Sequence, residues 1–288
     1  MLNGSFYLNG ITFNDVHATT PPSGYLIQGI DGLFGGVTPK YISHELPHKH
    51  GTLAYPSYLN ERTITLTGFI LGRSEAETNT KVAYLARACT ILAATVPLKF
   101  QVPGMPALQC WVKTKDAPEI KVLHAGVASF NIQLVAPDPF LYSQALYSEV
   151  AYWKGGTVGG GVPIPTKIPL AIAMAKPVST SQGNGVVNSG TIDAMPTIDI
   201  HGYVADPTII NNTTGKSFRL NFTIVKDNYI RVNTAFRLVR LNGTANRYST
   251  FKGTFFSLAP GTNNILFKAW VGSGAQARVE VSWRDTYI

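Results

Sequence analysis

Three histidines raise the first chemical question. His44-Glu-Leu-Pro-His48 matches H-E-x-x-H, the pattern in which two imidazoles one helical turn apart hold zinc while the glutamate acts as general base. Pro47 lies between the histidines, Pro39 sits upstream, and the flanking residues show no 3.6 period. The segment is therefore a poor helix, and the spacing does not bring the two rings to one face. Together with His50 they read as surface loop histidines, at most an adventitious metal patch; no resident metal and no cofactor are expected.

The other chemical patterns fail for equally physical reasons. The glycine run Gly155–Gly161 lacks the Lys-Ser/Thr of a phosphate loop, and nothing helical follows it to present amide groups. No Gly-x-Ser-x-Gly elbow occurs, and the carboxylates are too isolated for paired acid/base work. Asp138, between two prolines, reads as a turn cap through its own backbone. The chain is not expected to be an enzyme. For ligands, Trp270, Trp283 and Tyr287 could stack a saccharide, although their alternating strand context makes core packing the default.

The element organising the rest runs from Tyr58 to Ala94. In Arg62-Thr-Ile-Thr-Leu-Thr-Gly-Phe-Ile-Leu-Gly72, apolar and polar residues alternate as in a strand with one face on a core. The period then changes. Ser74 followed by Glu77 reads as a capping box, and Val82, Leu85, Cys89 and Leu92 form one apolar stripe of a helix that Pro97 ends. A lone amphipathic helix must lie on a sheet. Ahead of it, Asn9-Gly10 marks a hairpin, and the prolines between Val37 and Tyr58 call for an extended arm or long hairpin. Strands follow at 98–102, 109–113, 120–123 and 126–135. Ala136-Pro-Asp-Pro-Phe-Leu-Tyr142 then breaks the pattern and divides the chain into domains at 1–144 and 145–288. Beyond it, short strands without helices recur at 196–201, 207–210, 218–224, 229–232, 236–239, 263–270 and 277–283, as in a sandwich of jelly-roll type.

Composition agrees with a mainly β protein: Gly and Pro are abundant, and 14% of the 288 residues are charged. Cys89 falls on the helix stripe as a small hydrophobe, and two cysteines give no disulfide framework. The net charge of +8 is lopsided: ten Lys and Arg face nine Asp and Glu in residues 1–144, and fourteen face seven in residues 145–288. Those cations are scattered at strand spacing with no recognition helix, so a solvated sheet face is the expectation and no specific nucleic acid. No run of about 18 apolar residues occurs, so no membrane insertion is expected. Met1-Leu-Asn-Gly-Ser-Phe-Tyr7 lacks the basic start and apolar run of a signal peptide, which reads as folding in a cytoplasm.

In order and spacing, several segments resemble the distal tail proteins of long, flexible-tailed phages. They are His50-Gly51, Arg62–Gly68 with its helix, Ala136–Tyr142, Gly190-Thr191, Pro196–Gly202, Asp206–Asn211 with Thr214-Gly215, Leu258–Ile265 and Ser282–Tyr287. The resemblance implies an N-terminal β-sandwich with one helix and a projecting hairpin, whose copies close into a ring of six at the distal end of the tail tube. It also implies a C-terminal galectin-like or carbohydrate-module-like sandwich. Implied partners are other copies of the chain, the tail tube protein, a tail-tip hub protein of tail-associated lysin type and receptor-binding proteins. The implied location is the virion tail tip, after synthesis in the bacterial cytoplasm. The alternative is a carbohydrate-binding module for host-surface saccharides.

Overall fold

The computed structural model describes residues 4–15, 22–40, 43–45, 49–50, 52–54, 57–90, 94–152, 179–181, 185–271 and 277–288. It is mainly β, and Glu75–Ala88 is the one α-helix among the described residues. Two compact units emerge: Met1–Gln144 with Tyr287–Ile288, and Ala145–Thr286.

The first unit is a continuous path of hydrogen-bonded strands in the order Ile11–Phe13, Ser5–Leu8, Val96–Gln101, Leu108–Thr114, Val127–Ala136, Arg62–Leu71, Gly24–Asp31. Its spine is the antiparallel ladder from Arg62↔Ala136 to Leu71↔Val127, which runs without a register break. Ile64, Leu66 and Ile70 are fully buried on one face of that ladder, as the alternation requires. At the opening hairpin Leu8 pairs with Ile11 across Asn9 (φ 44°) and Gly10 (φ 90°). Two successive positive φ values make the tight turn for which Asn-Gly is suited. Between residues 37 and 59 the described residues form two short antiparallel ladders, Pro39↔Leu59 and Lys40↔Tyr58, then Ser43↔Ala54 to Glu45↔Thr52.

The helix lies on the Arg62–Leu71 and Val127–Ala136 strands. Ser74 caps it, its Oγ accepting from Glu77 N at 3.2 Å. The reciprocal half of the box is displaced by one residue: Glu77 Oε2 accepts from Arg73 N at 2.8 Å. Leu85 and Cys89 are buried and Val82 packs against the same core, while Leu92 lies outside the described residues. Pro97 does not end the helix. The helix stops at Ala88, where Cys89 N–H bonds back to Leu85 O, and Pro97 belongs to the strand Val96–Gln101. The neighbouring Ser5–Leu8 strand reaches only to Leu98, so Pro97 sits near the strand start with a partner on one side, where a missing N–H is tolerated.

The second unit is a sandwich. One sheet runs Tyr147–Tyr152, Arg278–Trp283, Thr197–His201, Tyr229–Asn233, Leu238–Leu241, Ala245–Asn246. The other runs Ser179–Ser181, Gly261–Val271, Val204–Asn211, Lys216–Leu220, Phe251–Gly253. Ile198, Ile200, Val232, Val279 and Val281 from the first meet Ile209, Phe218, Leu220, Ile265 and Phe267 from the second in one core. The strand expected at 236–239 begins later, at Leu238. Phe236 is in the preceding turn, 75% exposed. The glycine run at 155–161 lies outside the described residues.

Candidate functional site

His44 and Glu45 lie in a strand paired with Thr52–Ala54, so the helical turn that H-E-x-x-H needs is not formed there. His48 is outside the described residues and His50 is exposed. Among the described residues no three His, Cys, Asp or Glu side chains gather as a metal site. Asp138 caps its turn: Oδ1 accepts from Phe140 N at 3.2 Å and Oδ2 from Tyr142 Oη at 2.6 Å.

Of the three aromatic candidates, the side chains of Trp283 and Tyr287 are described. Trp283 is 5% exposed, in the core of the second unit, and its Nε1 donates to Val187 O and to Asp285 Oδ1, both at 3.2 Å. Tyr287 packs half-buried against the core of the first unit. Trp270 belongs to the Gly261–Val271 strand, and its side chain lies outside the described part. The rings of Trp283 and Tyr287 are thus engaged in packing, the default for alternating strands.

What the sequence reading missed is a set of buried polar joints. In the first unit Arg62 is 2% exposed and faces no carboxylate. Nε donates to Pro139 O at 2.8 Å, and Nη1 to Gly32 O at 3.1 Å, Leu33 O at 2.8 Å and Gly35 O at 3.0 Å. Burial lowers its pKa from the ordinary value, with the Cys110 thiol acting the other way, yet an arginine keeps its charge. Gly32, Leu33 and Gly35 follow the Gly24–Asp31 strand and Arg62 opens the Arg62–Leu71 strand, so this side chain closes the neck between the two and ties it to the Ala136–Tyr142 turn. Two separate stretches of the resemblance are therefore one joint.

The second unit has its own joint, built from Asn188, Asn211 and Asn263, all fully buried. Asn263 Nδ2 donates to Ala259 O at 2.7 Å and Gly261 O at 3.1 Å, and its Oδ1 accepts from Ala259 N at 2.9 Å and Asn211 Nδ2 at 3.3 Å. Asn211 Nδ2 also donates to Ser257 O, and Asn188 Nδ2 to Leu258 O and Ile192 O. Asp285 Oδ1 accepts from Ser189 N. Beside it Gly190 has no room for a side chain, since a Cβ would stand 2.1 Å from Thr286 O. Amide side chains carry both donors and acceptors, so they can staple irregular chain where no ladder exists.

Apart from Asn188, the second unit's joint lies inside residues 189–287, and that span matches the family model described as siphovirus-type tail component, C-terminal domain. No curated protein matches the chain. Among solved structures, the crystal structure of SPP1 Dit (gp 19.1), described as a paradigm of the hub adsorption apparatus in phages infecting Gram-positive hosts, superposes with a TM-score of 0.66 at 13% identity. The match covers 99% of each chain. The phage p2 baseplate in its Ca-activated conformation matches at a TM-score of 0.46 and 12% identity, over 97% of this chain and 98% of that one. At these identities the likeness concerns the fold.

Proposed function

We propose that this chain is a structural, non-enzymatic protein of the phage tail tip. In this reading identical copies close into a ring, six in number as the resemblance implies, at the distal end of the tail tube. The ring joins tube to tip, contacting the tail tube protein above and a tail-tip hub protein below, and offers adsorption proteins such as receptor-binding proteins a place to attach. The observation that carries it is the match of residues 189–287 to the siphovirus-type tail component model, supported by a fold shared along the chain with SPP1 Dit.

The first unit offers a means of self-association. Strand Glu119–His124 pairs with Val127–Ala136 on one edge, and its other edge pairs with no strand among the described residues. Val122 and Leu123 on it are 57% and 55% exposed. An unpaired edge presents free N–H and C=O groups to a neighbour, and a head-to-tail contact that returns on itself makes a closed ring. Native mass spectrometry and light scattering across concentration, with imaging of tail tips, test this. The expected species is a ring whose population falls when Val122→Lys and Leu123→Glu are combined. A strictly monomeric protein absent from virions overturns it.

A further inference from the structure

In the second unit, an open cavity of about 360 Å³ is lined by Arg237, Tyr248, Phe251, Gly253, Thr254 and Phe255. Its aromatic wall is a set of near-parallel rings. Phe251 and Phe255 stack at 4.0 Å and 10°, and Tyr248 lies nearly parallel to both, 6.2 Å from each centroid. Phe218 backs Phe251 from the core at 5.2 Å. Tyr248 is 51% exposed, so one side of this wall is packed and the other open.

Arg237 is the one charged residue lining the cavity, in a stretch of sequence rich in cations. Residues 228–279 contain seven Lys and Arg and no Asp or Glu. Arg231 is neutralised by a two-pronged contact with Asp199, at 2.8 and 2.6 Å. Arg237 makes no ion pair among the described residues, and it is held in the left-handed region at φ 53°, a costly conformation for a side-chain-bearing residue. A ring-shaped wall beside an unpaired guanidinium, with the Thr254 and Tyr248 hydroxyls at hand, suits a ligand with an apolar flat face, hydroxyls and a negative charge. Sugars present such C–H faces to aromatic rings, and a fork of guanidinium donors fits carboxylate or phosphate oxygens. The cavity volume is in the range that takes one small ring.

We propose that this cavity is an anionic-saccharide subsite. A pyranose lies on the open face of Tyr248, flanked by Phe255, and its carboxylate or phosphate is held by Arg237. The subsite uses different residues from Trp270, Trp283 and Tyr287, and it does not depend on ring formation.

The test is titration of the full-length protein, followed through its aromatic NMR signals, with four probes: glucuronic acid, glucose 6-phosphate, glucose and inorganic phosphate. Saturable shifts at Tyr248 and Phe255 are expected with the two anionic sugars, weakening as salt rises, with glucose about tenfold weaker. Inorganic phosphate should leave the rings unshifted. Arg237→Gln should cut affinity for the anionic sugars about tenfold while sparing the weak glucose response, whereas Tyr248→Ala should remove both. Both positions are exposed, and unchanged melting of the variants keeps the comparison sound. The proposal is overturned if the anionic sugars give no saturable shift, if inorganic phosphate reproduces the ring shifts, or if either variant binds like the parent.

Discussion

Replacing Arg62 by Met should open the neck of the hairpin. Met keeps much of the aliphatic volume but leaves the carbonyls of Gly32, Leu33, Gly35 and Pro139 without their donor. Hydrogen bonds to a charged group contribute about 1.5–3 kcal/mol each. Counting only the two shortest, to Pro139 and Leu33, gives about 3–6 kcal/mol by the same measure. Part of this is offset because the variant no longer buries a cation, so a net loss of about 3 kcal/mol is expected. For a unit of this size that is a fall of about 10 °C in the melting temperature of the first unit. Calorimetry reads the shift, and hydrogen exchange reads its location. Amides at the hairpin base, including Asn60 N–H on Thr38 O at 3.1 Å, should lose protection before those of the Arg62–Leu71 ladder. Lys at position 62 should fall between, because it retains charge without the fork. A Met variant that melts within a degree of the parent with unchanged exchange would refute the account.

Asn263→Ala removes hydrogen bonds to Ala259, Gly261 and Asn211 and should cost about 3 kcal/mol, seen as a lower melting transition of the second unit. A shift below one degree would show that the joint is dispensable. The Glu77 carboxyl is held at about 2 by hydrogen bonds from Ser23, Lys81 and Arg73 N–H, below its ordinary 4.5. Its contribution is therefore present above pH 4.5 and lost as pH falls from there toward 2. In an acid titration Glu77→Gln should flatten that part of the curve, and identical curves for parent and variant count against the Ser23–Glu77–Lys81 cluster. Burial pushes the Cys89 thiol up to about 11 and Cys110 to about 12, so both stay protonated at pH 8. A thiol-specific reagent should label them only on unfolding, and rapid labelling of native protein would contradict their placement.

Local patterns with a strong physical cause were legible. Ser74 and Glu77 announced the helix start, Asn9-Gly10 the hairpin, and the alternation after Arg62 the central ladder. Arg62 itself was legible in principle: period 2 places it on the face of Ile64 and Leu66, yet a charged residue at a strand start reads as solvent-facing. Trp283 alternates with Val279 and Val281, all buried, so its inward direction was written in the strand while its chemistry suggested a ligand. The wall of Tyr248, Phe251 and Phe255 was not legible. It joins a short 3-10 turn, a three-residue edge strand and a loop, elements too brief to carry a period. The asparagine joint was hidden for a related reason, since Asn188, Asn211 and Asn263 are far apart in sequence and each looks like an ordinary turn residue.

Every oxygen that Arg62 donates to belongs to the main chain. Peptide carbonyls do not titrate, guanidinium does not deprotonate in proteins, and a contact this deep is little affected by dissolved ions. The latch at the base of the arm is consequently indifferent to acidity and ionic strength, unlike one made from an acid–base couple. Acid and salt should therefore leave this joint intact until the strands around it give way.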